Sequence, residues 1–192
     1  MKKVISVLLL ACMLLTLTAC GSQPAAPATD PTAEATEAPA AETAEAEYKL
    51  GMGVSVSLDS SDTNKAQVDA TVATVVTDSE GKIVLCRIDC AQNKMDVTGG
   101  QVDTAATYTT KRDLKYDYNM VKYGNAIAEW DAQAKAFADY TVGKTADEVM
   151  GLDTTTNAEG YQVSTDETLL ASCTMAIDGM QAAIATAANN AR

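Results

Sequence analysis

Residues 66–90 read AQVDATVATVVTDSEGKIVLCRIDC. Val68, Ala70, Val72, Thr74 and Val76 fall on one face of the first run, with Ala73 and Val75 on the other. A period of two puts successive side chains on opposite faces of a strand. Asp78-Ser79-Glu80-Gly81 is a turn signal, because glycine takes positive φ without steric cost. The chain returns from Lys82 to Cys90, with Val84, Cys86, Ile88 and Cys90 on one side and Ile83, Leu85, Arg87 and Asp89 on the other. Upstream, Val54, Val56 and Leu58 alternate with Ser55 and Ser57. The expectation is an antiparallel meander with one covered face.

Downstream the period changes. Ile127, Trp130, Ala134, Phe137 and Thr141 follow helical spacing, and Gly143 is placed to close that helix. The chain's one Trp and one Phe both lie on this face, as core anchors against the sheet. Thr145-Ala146-Asp147-Glu148 matches a capping box and predicts a short helix to Met150. Ile177, Met180, Ile184 and Ala187 form the apolar stripe of a last helix. Between these blocks, residues 97–125 are rich in Thr, Tyr and Lys and suggest a long loop with one irregular strand. The fold class expected for residues 48–192 is α+β, an antiparallel sheet with helices packed on one face.

The first 19 residues differ in kind. Lys2 and Lys3 precede an apolar run from Val4 to Leu17, followed by Leu17-Thr18-Ala19-Cys20. The run is too short for a permanent span and ends at small residues, as in an export signal. It looks like a bacterial lipoprotein signal peptide, with cleavage before Cys20 and lipid attached to Cys20. The expected location is the extracytoplasmic face of a cell membrane, held by lipid chains at about 0.8 kcal/mol per buried CH₂. Residues 22–47 are almost wholly Ala, Thr, Pro and Glu, without an aromatic residue, Leu, Ile or Val. Such a stretch buries too little apolar area to offset its ordering entropy. With Cys20 it forms a predicted disordered tether over 20–47, with a reach of roughly 30 Å.

Composition narrows the chemistry. Formal charge is -12, and loss of Lys2 and Lys3 with the leader takes it to -14. A chain this acidic repels nucleic acid and anionic headgroups. It contains no histidine. Ser-His-Asp and Cys-His hydrolysis and His-based zinc sites are thereby excluded. Beyond the leader and Cys20, Cys86, Cys90 and Cys173 remain. Cys86 and Cys90 in one strand would sit roughly 13 Å apart, beyond disulfide reach. Small buried apolar roles suit all three. Lys111-Arg112-Asp113-Leu114-Lys115-Tyr116-Asp117-Tyr118 is the one dense basic and aromatic cluster. It suits either a small anionic ligand, with Tyr116, Tyr118 and Tyr123 as stacking faces, or a solvated loop of weakly paired charges.

Two stretches carry a resemblance. One is the hairpin Ala66–Val72 continuing through Thr77–Val84. The other runs from Asp166 to Ala188, with Ala171-Ser172-Cys173-Thr174-Met175-Ala176 ahead of an Ala-rich helix. They resemble the FMN-binding domain family of membrane-associated electron-transport flavoproteins and exported lipoproteins, whose motif is Ser-Gly-Ala-Thr-x-Thr/Ser. Residues 130–149 also look like a segment seen in such lipoproteins. The resemblance implies FMN as cofactor and an electron-transfer accessory role. Thr174 matches the motif, but Ala176 stands where the family carries the hydroxyl esterified to FMN. Alanine cannot form that bond, so binding would be non-covalent. Ser172 and Thr174 would lie beside the N–H groups of a helix beginning near Met175. The same two residues also suit simple capping of that helix. The alternative is a solute-binding or protein-interaction module on the same fold with no flavin. Nothing in the residues singles out an enzyme.

Overall fold

A computed structural model describes residues 47–98 and 108–192. The predicted leader, Cys20 and nearly all of the tether lie outside the described residues. The fold is α+β. Strands β1 (Lys49–Ser57), β2 (Lys65–Thr77) and β3 (Ile83–Asp96) form an antiparallel sheet in the order β1-β2-β3. Helices α1 (Lys111–Leu114), α2 (Met120–Gly124), α3 (Trp130–Tyr140) and α4 (Ala146–Met150) follow, with a 3-10 turn at Lys115–Tyr118. A small hairpin, β4 (Thr154–Thr156) and β5 (Gln162–Ser164), then leads to α5 (Glu167–Leu170) and α6 (Asp178–Asn189).

The covered face of the sheet is its less apolar one. On β1 it carries Gly51, Gly53, Ser55 and Ser57, paired with Val75, Ala73, Thr71 and Asp69 of β2. Helix α6 lies directly on the two glycines. A Cβ on Gly51 would overlap the carbonyl oxygen of Ala187, and one on Gly53 the carbonyl oxygen of Ala183. Backbone therefore meets backbone, with no side chain between. Ile177, Met180, Ile184 and Ala187 are buried as the stripe predicts. Phe137, Ala134 and Trp130 of α3 fill the space over β3, where full burial of a large apolar side chain is worth about 1.5–3 kcal/mol.

Several sequence expectations need correction. Ile83 is buried beside Cys86, Ile88 and Cys90, not opposite them. Thr77 pairs with Ile83 but Val76 with Leu85, so Val84 is an extra residue that reverses the alternation. Helix α3 starts at Trp130, leaving Ile127 exposed and off the core face. Between 108 and 125 the chain forms α1, the 3-10 turn and α2, and no strand among the described residues. Local bonds account for this: Thr110 Oγ1 accepts the Asp113 N–H, and the Glu129 carboxylate accepts the Met120 and Val121 N–H groups at 2.9 and 3.3 Å. The capping box of α4 forms as expected, with both reciprocal bonds between Thr145 and Glu148. Gly81 takes φ +78 in the β2–β3 turn.

Gly53→Ala is expected to destabilise the domain by about 3 kcal/mol or more, because the helix backbone cannot yield as a side chain would. Gly124→Ala, with open space around it, should stay within about 0.5 kcal/mol of the parent. Urea unfolding of the two variants checks the contrast.

Candidate functional site

A cleft of about 850 Å³ opens on the covered side, between the ends of β1–β3, the β4–β5 turn and the start of α6. The polar end of the inner sheet face builds its floor. Asp69 is the hub. Its carboxylate accepts Gln67 Nε2 at 2.6 Å and Gln92 Nε2 at 2.8 Å, and pairs with Lys111 Nζ at 3.3 Å. Lys111 also lies over two rings, 5.3 Å from the Tyr118 centroid and 5.7 Å from that of Trp130. The ammonium is thus a fixed charge among aromatic faces, with the lysine side chain only 12% exposed.

Arg112 sets Lys111 in place. Its guanidinium donates two bonds to the Ile88 carbonyl oxygen, at 2.9 and 2.6 Å, hooking α1 to the outer edge of β3. Lys115 then turns the chain at φ +49, a region that disfavours side chains. That turn returns Tyr118 toward the sheet, where its hydroxyl reaches Gln92 Oε1 at 3.5 Å.

Burial works against the charge on both partners, and the partners overcome it. For Asp69, desolvation raises the pKa, but Gln67, Gln92 and Lys111 together hold the carboxyl below its ordinary value. For Lys111, desolvation lowers it, but Tyr118, Cys90 and Asp69 leave the ammonium raised. Cys90 also lines the cleft, and burial raises its thiol pKa. Burial pushes the thiols of Cys86 and Cys173 up to about 11. All three are free, with Cys90 and Cys173 buried and Cys86 half-buried.

Thr174 and Ala176 line this cleft; Ser172 does not. The Ser172 hydroxyl instead donates to the Leu169 carbonyl oxygen at 3.3 Å. The expected helix start near Met175 is wrong, since α6 begins at Asp178 and neither Ser172 nor Thr174 caps it. After the turn that ends α5, Thr174 and Ile177 give their N–H groups to tertiary partners and not to a helix. The Thr174 N–H donates to Gln133 Oε1 at 2.9 Å, and the Ile177 N–H to the Gln162 carbonyl oxygen at 2.9 Å. Gln133, fully buried on α3, completes the clamp by donating to the Ala128 carbonyl oxygen at 2.7 Å. The first turn of α6 (Asp178, Gly179 and Met180) still borders the cleft.

Of the tyrosines picked from the basic cluster, Tyr118 lines the cleft, while Tyr116 and Tyr123 are exposed and stand apart from it. Trp130, expected as a core anchor, is both buried and a cleft wall. Asp69, Gln67 and Gln92 were not singled out from the sequence. A signal existed: Gln67, Asp69 and Thr71 are polar at every second position, just where the inner face should have been apolar. Among the described residues no group of His, Cys, Asp or Glu could hold a metal ion, and no helix is long and apolar enough to cross a membrane. In comparisons with known proteins, no family model, curated protein or solved structure matches the chain.

Asp69→Asn should cost about 2–3 kcal/mol, since it strips a largely buried ammonium of its counter-charge. The Asp69 carboxyl has a lowered folded-state pKa, so its contribution is present above about pH 4 and is lost as pH falls through the lowered value. Urea midpoints measured from pH 6 to pH 2 should show that loss in the parent and a flatter profile in Asp69→Asn. In the chain from residue 20 carrying Cys20→Ser, thiol-specific reagent at pH 8 should react slowly with the folded protein. It should titrate three thiols in urea.

Proposed function

We propose that this chain is a lipid-anchored extracytoplasmic binding module, and that the cleft around Lys111 and Thr174 takes a planar polar ligand non-covalently, with FMN the first candidate. The observation that carries the reading is a convergence. The motif-like segment Thr174–Ala176 and the basic, aromatic cluster at Lys111–Tyr118 are far apart in sequence, yet both line one cleft. Its volume suits a cofactor-sized ligand. Tyr118 and Trp130 offer ring faces, while Thr71, Gln67 and Gln92 offer hydrogen bonds that fix orientation. Lys111 is the cation nearest those rings, and the first-turn N–H groups of α6 add partial positive charge for a phosphate. Ala176 supplies no oxygen for an ester, which keeps the proposed binding reversible. An electron-transfer accessory role at the membrane follows if the ligand is a flavin.

One observation favours the second reading, a solute-binding module without flavin. The lining carries Asp59, Asp69 and Asp178 against Lys65, Lys94 and Lys111, a balance that suits an uncharged polar solute as well as an anion.

Trp130 is the only tryptophan, so its fluorescence reports on the cleft alone. Titrating FMN into the chain from residue 20 with Cys20→Ser should quench that emission saturably. Lys111→Gln should weaken binding by about tenfold or more, the loss expected of one charge-assisted contact. An unchanged spectrum up to millimolar FMN would sink the flavin reading and leave the solute-binding one.

A further inference from the structure

The outer face of the sheet is the apolar one, and nothing among the described residues covers it. Leu50, Met52, Val54 and Val56 of β1 project there beside Val72 and Val76 of β2. Leu50, Met52 and Val56 are each about 60% exposed. The β1 and β2 rows on this side carry no charge, on a chain whose formal charge is -12. A nine-residue strand spans about 30 Å and three strands about 14 Å, a footprint of roughly 400 Å². Once corrugated by side chains, such a face exposes on the order of 600 Å², at the top of the range for a lone monomer's largest apolar patch.

We infer that this face is a homodimer interface, in which two copies pack their sheets face to face about a two-fold axis. Neither the predicted tether nor the segment between β3 and α1 carries a stretch apolar enough to match it. Residues 22–46 contain no Leu, Ile, Val or aromatic residue, and residues 99–107 contain only Val102 as a large apolar side chain. An anionic bilayer is disfavoured by the acidic charge. Edge-to-edge pairing is obstructed on both sides of the sheet. On β1 the outward carbonyl oxygens of Leu50 and Met52 accept from the Arg192 N–H at 3.3 Å and Asn190 Nδ2 at 3.2 Å. On β3 the Ile88 carbonyl oxygen is taken by Arg112. Face-to-face packing is what stays open, and stacked sheets meet about 10 Å apart at an angle near 30°. Two such faces would bury about 1,200 Å², the lower bound of specific interfaces, so the dimer is reversible. Arg87 and Asp89 lie on the β3 rim of the face; Asp89 Oδ1 already accepts the Cys90 and Arg112 N–H groups at 2.7 and 3.3 Å, which leaves Arg87 and Asp89 Oδ2 as the opposite charges that two-fold symmetry can pair.

The test is sedimentation equilibrium of the chain from residue 20 carrying Cys20→Ser, across a micromolar concentration series. A monomer–dimer equilibrium is expected, shifted at least tenfold toward monomer by Val54→Lys with Val56→Lys. Both side chains are already solvent-exposed, so the fold should persist by circular dichroism. Thr74→Arg, a polar change in the middle strand of the same face, should act alike. Monomer at every concentration overturns the inference, as does a dimer indifferent to these changes. Flotation of a monomeric parent with phosphatidylcholine vesicles, lost in the double variant, would overturn it in favour of a lipid surface.

Discussion

The close seat of α6 on Gly51 and Gly53 is the constraint on which the rest of the structure depends. Two glycines at alternate positions of β1 remove the side chains that would hold a helix away from the sheet backbone. The helix answers with Ala183 and Ala187 and settles backbone to backbone. This decides which way the sheet faces. By hydrophobicity alone, the side bearing Leu50, Met52, Val54 and Val56 is the better candidate for a core. Shape prevails, because only the glycine side admits the helix. The core is then completed by α3 through Phe137 and Ala134, and the valine side is left outward.

The cleft follows from the same arrangement. Toward residues 55–57 the glycines of β1 give way to serines, and the inner face turns polar at Thr71, Asp69 and Gln67. The apolar contact with α6 ends there, and the space is bordered by α1, the β4–β5 turn and residues 174–180. Asp69 and Lys111 occupy it as an ion pair. Burial penalises each charge, and two glutamines, a thiol and two aromatic rings compensate. A charge so confined keeps its position, and a ligand meeting it finds little to reorganise.

Much of the fold was legible because its signals are local. The alternation of residues 68–76, the Gly81 turn, the Thr145–Glu148 capping box and the stripe Ile177–Ala187 each depend on neighbours within one or two turns. The failures are non-local. Val84 reads as an ordinary strand residue until the pairing with β2 makes it a bulge. The segment before α6 has helix-compatible residues, yet Thr174 is held by Gln133, 41 positions away. The site divides the same way. Thr174 and Tyr118 could be picked out as residue types in a pattern, whereas Ser172 had the right type and the wrong direction. Asp69 was hidden among many acids, since its importance lies in partners 23 and 42 residues further along.

The bond from Asn190 to the Met52 carbonyl oxygen joins residues 138 apart. The strand that opens the domain is therefore finished by the helix that closes it. During synthesis the three-stranded meander emerges long before α6, with both of its faces still bare. Cooperative closure has to wait for the final turns, and such non-local pairing is slow by nature. A domain built this way stays open until α6 has been made, and loss of residues 190–192 would leave the first strand without its seal.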